Sequence, residues 1–328
     1  MILKYQNVYV HSYGCTVQKN ISESLNKERI DTIFEDDLCQ ENSFEKAERN
    51  CIRKACDAAL RKGKLHVSDL QFAIGADLNP QLSASHYFMK DYEIPFVGMY
   101  AACASSSLLI HQASLLLSQS DYVLAFTSSN YGVAARVFRY PNTYGEQKKE
   151  TVTTTVTGAG AIILSHQPSH ICVKEGFIGK IVDWHYDNVA DMGGAMAPAV
   201  YQNLKEYLSE SEYDIDDFDC IASGDLSKVG FSMLESLLKE DGYEVDQRFM
   251  DCGLHVFDIQ HQNVFCGGSG PACSMVVLIS ELFDRIEKGE YQRVLLLASG
   301  ALFSPIPLYQ KESIPCICHG IVFERSSL

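Results

Sequence analysis

Cys103 has the setting that points most directly to chemistry. It lies in Ala101-Ala102-Cys103-Ala104-Ser105-Ser106-Ser107, after the apolar run Ile94–Tyr100 and before the nearly all-apolar run Leu108–Leu117. A strand, a tight small-residue turn and a buried helix would place the thiol at a helix N-terminus. There the free N–H groups and the dipole favour the thiolate and make it nucleophilic. The same setting also suits a buried structural cysteine. Gly267-Gly268-Ser269-Gly270 forms a second candidate. Its glycines permit positive φ and can turn backbone N–H groups toward a ligand. It lacks GxGxxG and GxxxxGKS spacing, and Pro271 stands where a GxSxG elbow needs glycine.

Three further stretches carry polar or pocket-forming residues. His319 follows Cys316 and Cys318 and could act as acid, base or donor, or equally be a hydrogen-bonded core histidine. Arg136, Arg139, Tyr140 and Tyr144 mix cations and phenols in what reads as a loop. Such a loop can clamp a carboxylate through an arginine fork, or simply be solvated. Asp191-Met192-Gly193-Gly194-Ala195-Met196-Ala197-Pro198 reads as a pocket wall or a helix entry.

The elements that must position these residues are legible in the apolar pattern. Phe44–Lys62 has helical spacing, with Asn42 and Glu45 placed for a capping box and Gly63 for the stop. Leu70–Leu78 and Ile94–Tyr100 read as buried strands, and Tyr122–Thr127 and Thr151–Ser165 as further strands. The order then returns. Asp219–Leu226 echoes Leu70–Leu78, and the stretch from Gly267 to Ile286 echoes the Cys103 turn and its helix. Arg293–Ser299 echoes Tyr122–Thr127, and Cys316–Glu324 echoes the end of Thr151–Ser165. This is an internal duplication of two βαβαβ halves, 1–167 and 168–328, each with a mostly parallel sheet.

Composition narrows the function. The formal net charge is -15 and no basic stripe is present, which argues against a nucleic-acid partner. The opening residues Met1–Val10 read as a first strand rather than a signal peptide. The longest apolar runs fall far short of the roughly 20 residues that a spanning helix needs. The 12 cysteines lack metal-site spacing and fit reduced thiols; no cofactor is called for.

A cysteine at the head of a buried helix, in a duplicated α/β pattern, resembles the thiolase and ketoacyl synthase superfamily. Met192-Gly-Gly-Ala-Met-Ala-Pro198 and Cys316-Ile-Cys-His-Gly320 are similar to two thiolase segments. More specifically, the chain resembles the stage V sporulation AD family of spore-forming bacteria. That resemblance rests on Phe138–Lys148, Thr155–Ser165, Asp191–Ala199, Asp251–Leu254, Gly267–Ser274 and Lys311–Arg325, with the Gly-Asp-Leu type turns ending at Leu78 and Leu226. It implies a thiolase-like fold, a five-layer αβαβα sandwich, and a homodimer. It implies binding of dipicolinic acid (pyridine-2,6-dicarboxylate), free or as its calcium chelate, in support of dipicolinate uptake into the developing spore. Membrane proteins of the same operon would be partners, at the inner membrane of the spore.

The chain departs from the enzymes of the superfamily. Gly267-Gly268-Ser269 stands where thiolases carry a Gly-His-Pro histidine, and Ser223-Gly224-Asp225-Leu226 where they carry an asparagine motif. Without the imidazole, nothing evident activates Cys103 or steadies an enolate oxygen. The resemblance therefore implies a ligand pocket without catalysis. Its expected lining is Cys103, Ser105, Ser106, Arg136, Arg139, Tyr140, Met192, Gly268, Ser269, Cys316 and His319. The alternative is an acyl-CoA condensing or acyl-transfer enzyme that uses Cys103.

Overall fold

The computed structural model describes residues 1–138 and 149–327. Its main sheet path has a repeated strand order. One run is Phe96–Gly98, Phe72–Ala76, Tyr122–Ser129, Gly158–Ser165 and Tyr9–Gln18. The other is Phe249–Asp251, Cys220–Ser223, Arg293–Ala301, Cys316–Arg325 and Ile171–Phe177. Each run lists the third, second, fourth, fifth and first main strands of its half. The two meet where Tyr9 pairs with Cys172 and Val173 N–H donates to Val8 C=O at 2.9 Å.

Alternation along the strands explains the layers. In Tyr122–Ser129, Val123 and Ala125 face one core while Leu124 and Phe126 face another. In Arg293–Ala301, Val294 and Leu296 join the first of these, and Leu295 and Leu297 join a third. Both faces of each sheet are therefore apolar, which is why the strands read as unbroken hydrophobic runs. The shared core holds the helix Ser105–Leu116 and the helical stretch Pro271–Lys288, both packed between the sheets. Helices Phe44–Gly63 and Ser83–Met89 cover the first sheet, and Met192–Glu210 and Ser227–Glu240 cover the second. Five layers result, helix, sheet, helix, sheet, helix, as the resemblance implied.

Two expectations need correction. The sheets are mixed rather than mostly parallel. Phe96–Gly98, Phe72–Ala76 and Tyr122–Ser129 run parallel, but Gly158–Ser165 is antiparallel to both of its neighbours. The second half repeats this, with Cys316–Arg325 antiparallel to both of its neighbours. The excursions 130–157 and 302–315 bring the chain back beside the strand it left, so no crossover enforces a parallel return. The first long helix is capped by Ser43, whose hydroxyl accepts the Lys46 N–H at 3.3 Å, not by an Asn42–Glu45 box. Lys64, at φ 55°, supplies its left-handed stop.

The halves are also tied together at the site. Thr154–Thr155 pairs with Gly268–Ser269 in a short parallel ribbon that joins the first half to the second. Among the described residues no helix is long and apolar enough to cross a membrane.

Candidate functional site

A cavity of about 340 Å³ opens where the strand ends of the two halves meet. Its walls are mostly apolar, with Leu78, Phe138, Val152, Met192, Met196 and Phe303 prominent among them. Polar groups are few: Cys103, Thr153, Thr155, Asp225, Ser269 and, as the one lining cation among the described residues, the exposed Lys149.

Cys103 sits in the single helical turn Ala102–Ala104 that leads into the central helix. Ala102 takes φ 49°, a left-handed conformation uncommon outside glycine. The turn needs close contact with the other half. A Cβ on Gly300 would stand 2.4 Å from the Ala101 carbonyl oxygen, so glycine is required there. Gly270, at φ 97°, directs its N–H to Asp225 Oδ2 at 2.9 Å and precedes the sister helix. Met192 and Met196 lie one turn apart on the helix Met192–Glu210. Asp191 caps that helix, accepting the Gly194 N–H at 2.9 Å and the Tyr186 hydroxyl at 2.5 Å.

Asp225 is the decisive residue. It is 1% exposed, lies beside Cys103, and lines the cavity. The turn that carries it is held by a second acid. Asp251 accepts the Ser223 hydroxyl at 2.6 Å and the N–H groups of Leu226, Ser227 and Leu254 at 2.8, 2.9 and 3.0 Å. The Cys103 thiol and the Ser299 hydroxyl face the Asp225 carboxyl, whose Oδ1 is sealed from solvent. Burial, aided by the Asp251 charge, raises the Asp225 carboxyl to about 7, while the Gly270 N–H and Cys103 pull it down.

The same surroundings favour the thiol form over the thiolate. Burial first, and the Asp225 carboxylate second, push the Cys103 thiol well above its ordinary value. The backbone N–H groups of Gly270 and Cys103 act the other way and are outweighed. Cys103 is partly accessible from the cavity, and its neighbour is an acid rather than an imidazole.

Of the residues read from the sequence, the cavity gathers Cys103, Met192 and Ser269. The others are held elsewhere. Ser105 closes its own turn, donating to the Ala102 C=O at 2.7 Å and accepting the Ala101 N–H at 3.1 Å. The Ser106 hydroxyl is hydrogen-bonded to the Ser274 hydroxyl at 2.8 Å, joining the two central helices. Gly268 belongs to the inter-half ribbon, and its carbonyl accepts the Ser227 hydroxyl at 2.8 Å. Arg136 pairs with Glu45 and lies over the Phe44 ring, directed away from the cavity that Ala134 and Phe138 line. Cys316 is buried in the outer core of the second half, its thiol raised to about 12 by burial. His319 is buried and accepts the Gly179 N–H through Nδ1 at 3.1 Å. Burial, with His111 adding, lowers it to about 3, so it supplies no positive charge at neutral pH. Arg139 and Tyr140 lie outside the described residues.

Among the polar lining residues, Thr153, Thr155, Asp225 and Lys149 escaped sequence reading. Asp225 was visible as part of the Ser223–Leu226 stretch, but only as the place of a missing motif. Lys149 follows the aromatic–basic run and has no spacing that distinguishes it from a solvated lysine.

The family model described as "Stage V sporulation protein AD (SpoVAD)" matches residues 2–324. The chain belongs to this family. It is 39% identical over 321 residues to the stage V sporulation protein AD of Bacillus subtilis (strain 168), covering 97% of this chain and 95% of that protein. The fold is also that of known enzymes. Cerulenin-bound OleA of Xanthomonas campestris superposes with a TM-score of 0.65 at 12% identity, covering 98% of this chain and 99% of that one. The 3-oxoacyl-[acyl-carrier-protein] synthase III of Aquifex aeolicus VF5 does so with a TM-score of 0.57 at 14% identity, covering 97% and 100%. At such identities these likenesses concern the fold, which is thiolase-like, and membership of the SpoVAD family makes this a sporulation protein.

Proposed function

We propose that this SpoVAD-family protein binds dipicolinate in the cavity beside Cys103 and does not catalyse acyl condensation. The observation that carries the reading is the pairing of Cys103 with Asp225. An imidazole could take the thiol proton, whereas a buried carboxylate opposes thiolate formation. The cavity suits a flat aromatic acid in general terms. Met192 and Met196 can cover a ring, Ser269 and Thr155 offer hydroxyls, and Lys149 offers charge to a carboxylate at the mouth. In this reading Cys103 is a wall of the pocket. The protein would act in the spore, at the inner membrane with membrane proteins of its operon, as a homodimer, in the uptake of dipicolinate.

Acyl transfer by Cys103 is the competing reading, favoured by the apolar lining of the cavity and by the fold. A melting-temperature titration with dipicolinate, run beside intact-mass analysis after incubation with acyl-CoA, separates the two. A ligand of the native state raises the melting temperature as its concentration passes Kd. Stabilisation by dipicolinate with no mass gain supports binding. No stabilisation, with an acyl adduct lost in Cys103→Ala, establishes the enzyme instead.

A further inference from the structure

A second pair of nucleophiles lies away from the cavity. Cys39 and Cys51 hold their sulfurs 3.3 Å apart, the Cys51 thiol donating, and both thiols are free. Both are buried in the outer core of the first half. They arrive from unlike elements. Cys51 sits on the helix Phe44–Gly63, where its carbonyl accepts the Thr16 hydroxyl at 3.1 Å. Cys39 comes from the irregular loop 35–43, between the exposed residues Leu38 and Gln40. Cys39 and Gln40 take φ 46° and 65°, successive left-handed conformations that cost residues with side chains energy. Asn50 donates to the Cys39 C=O at 2.9 Å, and Asn130 to the Asp37 C=O at 2.8 Å. A strained, irregular loop of this kind opens more readily than the helix beneath it. Asn130 also caps the helix Tyr131–Phe138, its Oδ1 accepting the Gly132 N–H at 2.9 Å and the Val133 N–H at 3.3 Å. That helix carries Ala134 and Phe138 to the cavity wall. The Cys39 loop and the cavity wall thus share one asparagine.

We propose that Cys39 and Cys51 are a modification site, closed to a disulfide by low-molecular-weight disulfides, and that closure steadies the cavity wall through Asn130. The chemistry is two successive thiol–disulfide exchanges. The Cys39 thiolate, reached when the loop opens, attacks one sulfur of RSSR; a Cys39–SR bond forms and RS⁻ leaves. The Cys51 thiolate then attacks the Cys39 sulfur; the Cys39–SR bond breaks and a second RS⁻ leaves. The two protons given up by the cysteines pass to the two RS⁻. Two cysteines are oxidised and one RSSR is reduced to two RSH. The order follows from position. The hydrogen bond to Cys39, and then burial, hold the Cys51 thiol well above its ordinary value, so the first attack belongs to the loop cysteine. Closure brings the sulfurs from 3.3 Å to a bond of about 2.05 Å, a small movement for a loop residue. The bond restricts the unfolded chain and holds the loop against the helix, which raises stability.

Thiol counting on the full chain tests this. The protein is equilibrated with 2-hydroxyethyl disulfide and 2-mercaptoethanol at a series of ratios, in buffer and in urea below the unfolding transition. Remaining thiols are then alkylated in strong denaturant. Oxidation should protect two of the 12 thiols and give one cross-linked peptide pair, Cys39 with Cys51. The oxidised chain should melt about 3 °C higher, an increase that dithiothreitol reverses. Amide exchange in Tyr131–Phe138 should slow about threefold or more. Cys51→Ser should stop at a mixed disulfide on Cys39, and Cys39→Ser should leave Cys51 reduced. If either variant fails to fold, the mapped cross-link in the unaltered protein decides. No protected pair at any ratio that leaves the chain folded overturns the proposal. So does a bond that joins other cysteines or lowers the melting temperature. A Cys39–Cys51 bond that leaves exchange in Tyr131–Phe138 unchanged overturns the coupling to the cavity. Each outcome stands apart from dipicolinate binding, which is measured separately.

Discussion

The two halves carry the same turn with an acid in it, and they use the acid differently. Asp77 stands in the first copy and Asp225 in the second. Asp77 Oδ1 accepts the Asn79 N–H at 2.8 Å, and Oδ2 accepts the Ser85 N–H at 2.8 Å and its hydroxyl at 2.6 Å. Both oxygens are engaged in holding their own loop. In the second half that work falls to Asp251, which grips the turn from the neighbouring strand. Asp225 is thereby left at the cavity wall, where Gly270, Cys103 and Ser299 surround it. The repeated strand order thus presents the same turn twice, and in the second the scaffolding work of the turn's acid is done by an acid on the next strand.

The contrast predicts opposite effects on folding. Asp77→Ala strands two buried N–H donors and a hydroxyl, and should cost about 3 kcal/mol or more in urea unfolding. Asp225→Ala should cost far less, under about 1 kcal/mol near pH 8, because it also removes a strongly desolvated carboxylate. Equal losses would mean that Asp225 is as structural as Asp77.

A pH series sharpens the same comparison. Asp225 is raised to about 7 and Glu48, buried and desolvated beside Asp77, to about 8. Raised carboxyls bind protons more tightly in the folded chain, so their stability contribution is complete below the ordinary carboxylate range. It is lost as pH rises through about 7 and 8. Unfolding free energy should therefore decline toward pH 8 at each of these groups. Asp225→Asn should remove part of that decline while leaving the Glu48 part, and an unchanged slope would contradict the raised Asp225.

The smallest expected effects concern charges near the site. Lys149→Ala should weaken dipicolinate about three- to tenfold in a binding titration, as an exposed cation at the mouth. Arg136→Ala and His319→Ala should leave affinity within about twofold, since one is paired with Glu45 and the other is buried away from the cavity. A larger loss from either would redraw the site.

The fold was legible because both sheets are buried on two faces and announce themselves as apolar runs repeated in order. Strand direction was not, because Gly158–Ser165 has the same composition whichever way it runs, and only pairing geometry settles it. Within the site, Cys103, Met192 and Ser269 followed from small or flexible residues at element ends. Ser105, Ser106 and His319 show the limit of such reading. A serine at a helix start looks the same whether it faces a ligand, closes its own turn or bonds a sister serine 2.8 Å away. Asp225 illustrates the converse: its importance depends on Asp251, an acid on another strand that takes over the turn.

The most direct test follows the Asp225 carboxyl carbon by NMR against pH, with and without dipicolinate. The account predicts titration near pH 7 in the free protein and a signal that changes when dipicolinate fills the cavity it lines. An Asp225 signal that stays ionised throughout, or does not respond to dipicolinate while Cys103 acquires an acyl group from acyl-CoA, would contradict it.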